Sequence, residues 1–287
     1  MEIEDTFSEV FSTKCGRFLI TAANERWARI AAQASVGFAT SIIFCDAEAG
    51  IDTFVESGPD GRPGYSVMIT NPSAKKLKDQ LLERIGQCVL TAPTTACFNL
   101  IESEEPFPIG KMMNCFGDGY GTAVERWGRK LYSIPIMGGE FLIEENFGYT
   151  KGYSGNLWVM VNDVEKGLTS CERVIEGIEG TEGIIAPFPG GICASGSKVG
   201  SCTYTFLKAS TNHTCCPTLS CNIDDSTVPE GVVAIYEFIF NAVDLDTLTK
   251  GFKSAVDVLT NAEGIERLSA GNYGGKLGPE KIFLREL

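Results

Sequence analysis

The chain has 287 residues, enough for one large domain or two of ordinary size, and two is the better expectation. Hydrophobic residues make up 44% and charged residues 21%, with glycine, proline and aromatic residues spread along the length, which excludes a disordered or fibrous chain. A formal charge of −13 argues against nucleic acid or anionic lipid as a partner, because both are bound through clustered Lys and Arg, and it predicts that salt favours self-association.

The start, Met1-Glu2-Ile3-Glu4-Asp5, is acidic where a secretion leader is basic and then apolar. The longest uncharged window, residues 30–45, is shorter than the roughly 20 apolar residues of a membrane span. A cytoplasmic protein is expected. The eleven cysteines are scattered through contexts such as Phe44-Cys45 and Gln87-Cys88-Val89, as small reduced core residues are, so disulfides are not expected.

In chain order, residues 18–21 read as a short strand, followed by a helix with Asn24 as N-cap, Trp27, Ile30, Ala31 and Ala34 at helical spacing, and Gly37 as its stop. Residues 40–45 read as a second, buried strand, the Gly- and Pro-bearing segment 58–64 as a turn, and residues 65–70 as a third strand. Ser73 caps the next helix, whose stripe is Leu77, Leu81, Ile85 and Cys88, and residues 89–100 are β-prone. Residues from about 102 to 145–150 look like an insertion of short strands, with 129–136 and 141–143 as hairpin candidates.

The pattern then returns, with a strand at 157–161, a helix carrying Leu168, Cys171, Ile175 and Ile178, and a strand at 183–187. After the 232–243 strand, Asp246 caps a helix bearing Leu248, Phe252, Val256 and Leu259, Gly264 ends it, and 265–270 closes a second βαββαβ set. The fold class predicted is α+β, with two ferredoxin-like lobes in which helices cover antiparallel sheets. The first lobe spans 1–145 with its β-rich insertion at about 102–145, and the second spans 146–287.

The chemistry centres on the 232–243 strand. Val232, Ala234, Tyr236, Phe238 and Phe240 fall on one face, while Val233, Ile235 and Ile239 share the other with Glu237. A strand apolar on both faces is expected between layers, where desolvation opposes ionisation and raises a carboxyl pKa, so Glu237 is the leading candidate for acid–base catalysis. A glutamate simply paired with an arginine or with backbone amides fits the same pattern.

Three glycine-rich loops could meet at a strand-end cleft. The run from Pro187 to Lys198 is dense enough in proline and glycine to fix an irregular backbone and expose its amides. Its Ser197-Lys198 order is the reverse of a phosphate loop's, which argues against nucleotide binding. Phe116-Gly117-Asp118-Gly119-Tyr120-Gly121 lacks the strand-before, helix-after setting of a dinucleotide site and reads as a turn, and Gly271 to Gly278 is the third loop. His213, Cys215, Cys216 and Cys221 have no usual zinc spacing, and one histidine assembles no hydrolytic triad, so no metal is expected. The sequon Asn212-His213-Thr214 carries no glycosylation in a cytoplasmic chain. Gln87 and Thr91-Ala92-Pro93-Thr94-Thr95 supply uncharged donors and acceptors suited to amide-like ligands.

Taken together, Glu4-Asp5-Thr6-Phe7, Ala47-Glu48-Ala49-Gly50-Ile51, Asp60-Gly61-Arg62-Pro63-Gly64, Arg84-Ile85-Gly86-Gln87-Cys88-Val89, Phe116-Gly117-Asp118-Gly119-Tyr120, Ala209-Ser210-Thr211-Asn212 and Tyr236-Glu237 stand in one order. With the loops at 187–200 and 269–278, they make the chain resemble the formylmethanofuran:tetrahydromethanopterin formyltransferase family over nearly its whole length. The segment 215–225 is longer and richer in cysteine than that pattern. The resemblance implies a homotetramer built as a dimer of dimers, no permanently bound cofactor or metal, and formylmethanofuran and tetrahydromethanopterin as substrates. It implies reversible transfer of a formyl group to N5 of the pterin and places the family's buried glutamate at Glu237; attack by N5 on the formamide gives a tetrahedral intermediate, for which protonated Glu237 is the expected catalytic acid. Substrate contacts are then expected at Gln87, Thr91, Pro93, Phe188, Pro189, Gly190, Gly191, Ser195, Ser197, Lys198, Thr211, Asn212, Gly271 and Asn272. The other readings are a non-catalytic pterin- or partner-binding paralogue and a one-carbon acyltransferase with a different carrier.

Overall fold

The computed structural model describes all 287 residues and divides into two compact units, residues 13–152 with 180–187, and residues 1–12 with 153–179 and 188–287. The strand Phe7–Thr21 is far longer than the four residues expected. Ser8 and Glu9 hide its first part from a hydropathy reading, yet both are fully buried because each finds hydrogen-bond partners.

In the first of these units, the 13–21 part of that strand lies between Gly64–Asn71 and Ala96–Asn99, antiparallel to both. Glu48–Val55 pairs on the far side of Gly64–Asn71. Helix Glu25–Val36 is capped as expected, with Trp27 N donating to Asn24 Oδ1 at 3.2 Å. Its buried face is Ala28, Ala31, Ala32 and Ser35, however, and Ile30 points outward. Small side chains let this helix approach the sheet closely, and a reading by apolar bulk misses that face. Ser73 caps Ala74–Arg84, which buries Leu77 and Leu81 and passes directly into a π turn, Ile85–Val89, closed by Leu90 N donating to Ile85 O at 2.9 Å.

Residues 40–45 are not the second strand. They form a loop in which Ile42, Ile43 and Phe44 are 44%, 41% and 72% exposed, and the strand is Glu48–Val55. Its polar centre explains the error. Asp52, 3% exposed, is satisfied by Arg17 Nη2 at 2.5 Å, Ser66 Oγ at 3.1 Å and Gly183 N at 2.8 Å. Gly50 beside it permits close packing, since a Cβ there would lie 2.8 Å from Ile185 Cβ. The insertion is a three-strand meander, Thr122–Arg126, Arg129–Ile136 and Gly139–Glu144, whose last strand runs parallel to Ala96–Asn99. It also contains an unforeseen helix, Ile109–Asn114.

In the other unit, Thr150–Val161 contributes its 153–161 part as the central strand, antiparallel to Ala234–Ala242 on one side and to Ile265–Ser269 on the other. Glu2–Ile3 adds parallel to Ile265–Ser269, and Glu280–Phe283 pairs with residues 7–10. Helix Val164–Ile178 buries Gly167, Ser170, Cys171, Val174 and Ile178, so Leu168 is displaced from the expected stripe. Gly167 is required there because a Cβ would sit 2.6 Å from Val161 Cγ1, where helix and strand nearly touch. Asp244, not Asp246, caps Leu245–Thr260, accepting from Thr247 N at 2.7 Å, and Asp246 pairs instead with Lys250 at 2.6 Å. Of residues 183–187 only Ile184–Ile185 is strand. Both units are α+β. Cys15, Cys45, Cys97, Cys171 and Cys193 are buried, but Cys115, Cys202 and Cys221 are exposed and so depart from the expected core role. Burial pushes the Cys171 thiol up to about 12. No helix is long and apolar enough to cross a membrane.

Candidate active site

Burial along Ala234–Ala242 changes at the residue of interest. Phe238, Phe240, Asn241 and Ala242 are buried, whereas Ala234 to Glu237 are only partly covered. Glu237 is therefore not enclosed between two layers as expected. It stands where the buried half of the strand gives way to a cavity of about 290 Å3 lined by Trp158, Ser195, Ser197, Asn212, Cys215, Cys216 and residues 233–237, among others.

Strand register brings its partners in. Trp158 lies directly opposite Glu237 in the antiparallel pair, and Asn156, two residues earlier, shares the same face. Trp158 Nε1 donates to Glu237 Oε1 at 3.0 Å and Asn156 Nδ2 donates to the same oxygen at 2.9 Å. No cation pairs with this carboxyl group, so the arginine-paired reading does not hold. Desolvation by the surrounding strands raises its pKa, and the hydrogen bonds from Trp158 and Asn156 pull the other way without cancelling that rise.

The chain around Glu237 is tied to the glycine-rich loop at 187–198 through two backbone bonds of 2.8 Å, Cys193 N to Glu237 O and Glu237 N to Cys193 O. This bridge places Ala194 to Ser197 on the cavity wall. Cys193 Sγ and Ser195 Oγ stand 3.4 Å apart. On another side of Glu237, Asn156 Oδ1 accepts from Gly271 N at 2.9 Å and Asn156 Nδ2 also reaches the Tyr273 hydroxyl at 3.2 Å. Burial raises the Tyr273 phenol, and the Glu237 charge adds to that effect.

Of the residues singled out from sequence, Glu237, Ser195, Ser197 and Asn212 meet at the cavity. Gly271 joins them through Asn156. Phe188 precedes the Pro189–Gly191 turn, in which Gly190 and Gly191 take φ of 61° and 76°, and Gly191 spends its N–H on Phe188 O at 2.7 Å. Lys198 donates to His213 Nδ1 at 2.7 Å and to Cys202 Sγ at 3.0 Å. Thr211 Oγ1 lies 3.4 Å from Cys216 Sγ, and Asn272 Nδ2 donates to Thr6 Oγ1 at 2.9 Å. Gln87, Thr91 and Pro93 are exposed in the unit built on residues 13–152, on and just after the π turn, and do not line this cavity.

Sequence reading passed over Asn156, Trp158 and Tyr273. An amide and an indole two residues apart at the start of the apolar run 157–161 were the available signal, because on one face of a strand both need a polar partner. A second hollow of about 420 Å3 opens between residues 127–130 and 144–146, where Glu144, one of its three carboxylates, is held by Arg129 at 2.6 Å and Asn99 N at 2.8 Å.

A desolvated carboxyl group with a raised pKa, beside hydroxyl groups on a cavity wall in an α+β frame, is the equipment of a group-transfer enzyme that protonates a leaving atom or braces an oxyanion. The family models agree with that class: residues 1–136 match formylmethanofuran-tetrahydromethanopterin formyltransferase and residues 139–287 match its proximal lobe. The chain belongs to this formyltransferase family. It is 48% identical to the formylmethanofuran–tetrahydromethanopterin formyltransferase of Methanothermus fervidus, covering 100% of this chain and 98% of that one. Among solved structures, the corresponding formyltransferase from Methanosarcina barkeri superposes with a TM-score of 0.95 at 46% identity, covering 100% of this chain and 98% of that one. The formyltransferase/hydrolase complex FhcABCD from Methylorubrum extorquens, solved with methylofuran, contains a chain with a TM-score of 0.93 at 37% identity, covering 99% and 96%.

Proposed function

We propose that this protein transfers a formyl group between formylmethanofuran and tetrahydromethanopterin, with Glu237 as the acid. The observation that carries the reading is the Glu237 carboxyl group at the wall of a cavity, desolvated, unpaired with any cation and raised in pKa. In the transfer, N5 of the pterin attacks the formamide carbon, the carbonyl oxygen gains charge, and the tetrahedral intermediate collapses when the furan-side nitrogen gains a proton. Glu237 gives its proton toward that oxygen or nitrogen, and the proton released from N5 restores it, so the reaction is balanced and reversible. Ser195, Ser197 and Asn212 supply hydrogen bonds to the formamide, with Phe188, Pro189, Gly190, Gly191, Lys198, Thr211, Gly271 and Asn272 flanking it in the same unit. Gln87, Thr91 and Pro93 contact uncharged groups of a coenzyme, so Gln87→Ala raises the KM of one coenzyme only.

Both units are read as ferredoxin-like. In one, two helices alternate with the antiparallel strands Glu48–Val55, Gly64–Asn71, Phe7–Thr21 and Ala96–Asn99, adjacent in that order, which supports the βαββαβ reading. The lobes are drawn at 1–145 and 146–287. The family matches at 1–136 and 139–287 support that division, while residues 1–12 pack with the second lobe. A cytoplasmic homotetramer completes the proposal.

The test is Glu237→Gln, which keeps shape and removes the proton. Turnover of formylmethanofuran with tetrahydromethanopterin is expected to fall by at least about 100-fold, within the usual range for losing a general acid. Survival of turnover within a few fold, with folding intact, refutes the role.

A further inference from the structure

We infer that Glu237 carries its proton on Oε2 alone, and that Asn156 and Trp158 are positioning residues that reserve Oε1 as the pure acceptor. This deepens the acid role given to Glu237 and rests on it. An indole N–H can only donate, so the 3.0 Å bond from Trp158 Nε1 fixes Oε1 as an acceptor. An amide could in principle turn either end toward the carboxyl group, but Asn156 cannot. Its Oδ1 already accepts from Gly271 N at 2.9 Å, which leaves Nδ2 to face Oε1 at 2.9 Å and the Tyr273 hydroxyl at 3.2 Å. The backbone of Asn156 is held in turn, its N donating to Ser8 Oγ at 3.0 Å. Two N–H groups converging on Oε1 leave no room there for a carboxylic hydrogen.

The consequence is directional. In the neutral acid the hydrogen lies on Oε2, and when it departs, negative charge gathers on Oε1, where two donors are already in place. Asn156 and Trp158 thus oppose the effect of burial and keep the group from holding its proton too tightly to give it up. They move no proton and act only through Glu237.

The test reads the carboxyl group itself. The full-length protein labelled with 13C-glutamate is titrated by infrared spectroscopy, and the Glu237 C=O band is isolated by subtracting the Glu237→Gln spectrum. In Trp158→Phe the band should shift, and the midpoint of its loss should move to higher pH by about tenfold in proton affinity, the worth of one hydrogen bond to a charged acceptor. kcat should fall and its pH limb should move the same way, while the KM for each coenzyme stays within about twofold. Fluorotryptophan incorporated at all three tryptophans covers the case of a poorly folded variant. A more acidic indole N–H is a better donor, so the midpoint should move to lower pH, and this effect should vanish in the Trp158→Phe background. An unchanged midpoint in both experiments overturns the inference. Full turnover by Glu237→Gln instead overturns the acid role and leaves the band shift measurable, so the two failures are told apart.

Discussion

Glu9→Ala should release the loop that carries Tyr273. Glu9 has no exposed surface, and its carboxylate accepts N–H bonds from Gly275 at 3.1 Å, from Leu277, and from Gly278 at 2.5 Å. Three amides of one loop therefore close on one buried charge. Removing it abandons three charge-assisted bonds, each worth about 1.5–3 kcal/mol when the charge is desolvated. Leu277 is exposed and Gly275 and Gly278 are half-buried, so the freed amides recover much of that from water. A net loss of about 2–4 kcal/mol is expected, equivalent to about 4–16 °C in Tm for a unit of this size. Calorimetry with the two units resolved as separate transitions should show the fall in the unit that contains Glu9. Hydrogen exchange should show residues 275–278 losing protection ahead of the rest of that unit. Glu9→Gln, which keeps one acceptor oxygen, should fall between. A Glu9→Ala protein with unchanged Tm and unchanged exchange at 275–278 refutes the reasoning.

Turnover should decline as pH rises through the Glu237 pKa, which lies above the ordinary carboxylate range, and a stopped-flow pH profile of Glu237→Gln should lack that limb. The same raised pKa means Glu237 stabilises the fold most below the ordinary carboxylate pKa and loses that contribution as pH rises through its own; a Glu237→Gln protein should not share this slope in denaturation. Asp52→Asn should cost about 2–3 kcal/mol in chemical denaturation, because it leaves the buried Arg17 guanidinium with Glu182, a largely exposed carboxylate 3.0 Å away, as its one remaining ion pair; a loss under about 1 kcal/mol would contradict the pairing. Ser195→Ala and Ser197→Ala should each raise KM or lower kcat by about fivefold to tenfold if their hydroxyls hold the formamide, and steady-state kinetics decide it.

What the sequence revealed and what it hid divide along a physical line. Caps were legible at Asn24 and Ser73 because an N-cap is local chemistry, a side-chain oxygen meeting an amide three residues on. The meander strand Arg129–Ile136 was legible for a similar reason, set off as it is by the turn at Trp127-Gly128. The failures occur where polar or small residues are buried by partners distant in sequence. Glu48–Val55 was missed in favour of the apolar run at 40–45 because Asp52 is matched by Arg17 and by Gly183 N, 131 residues on. The helix faces of Ala28–Ser35 and Gly167–Ser170 were misplaced for the related reason that close approach rewards small side chains, which hydropathy ranks low.

The site obeys the same rule with a further turn. Period-two spacing placed Glu237 on an apolar strand and gave the right direction of its pKa, but it assigned the cause to layers on both faces. The strand instead leaves its buried zone at Glu237, and a carboxyl group at that boundary is in a better position for chemistry than one sealed inside. Complete burial would raise its proton affinity without giving a substrate access, whereas full exposure would give access and restore an ordinary pKa. Asn156 and Trp158 set the balance between those limits from the neighbouring strand, and their register opposite Glu237 depends on how two segments about 80 residues apart in the chain pair. A single strand's pattern cannot contain that information, because it names one side of a pair and leaves the other to the fold.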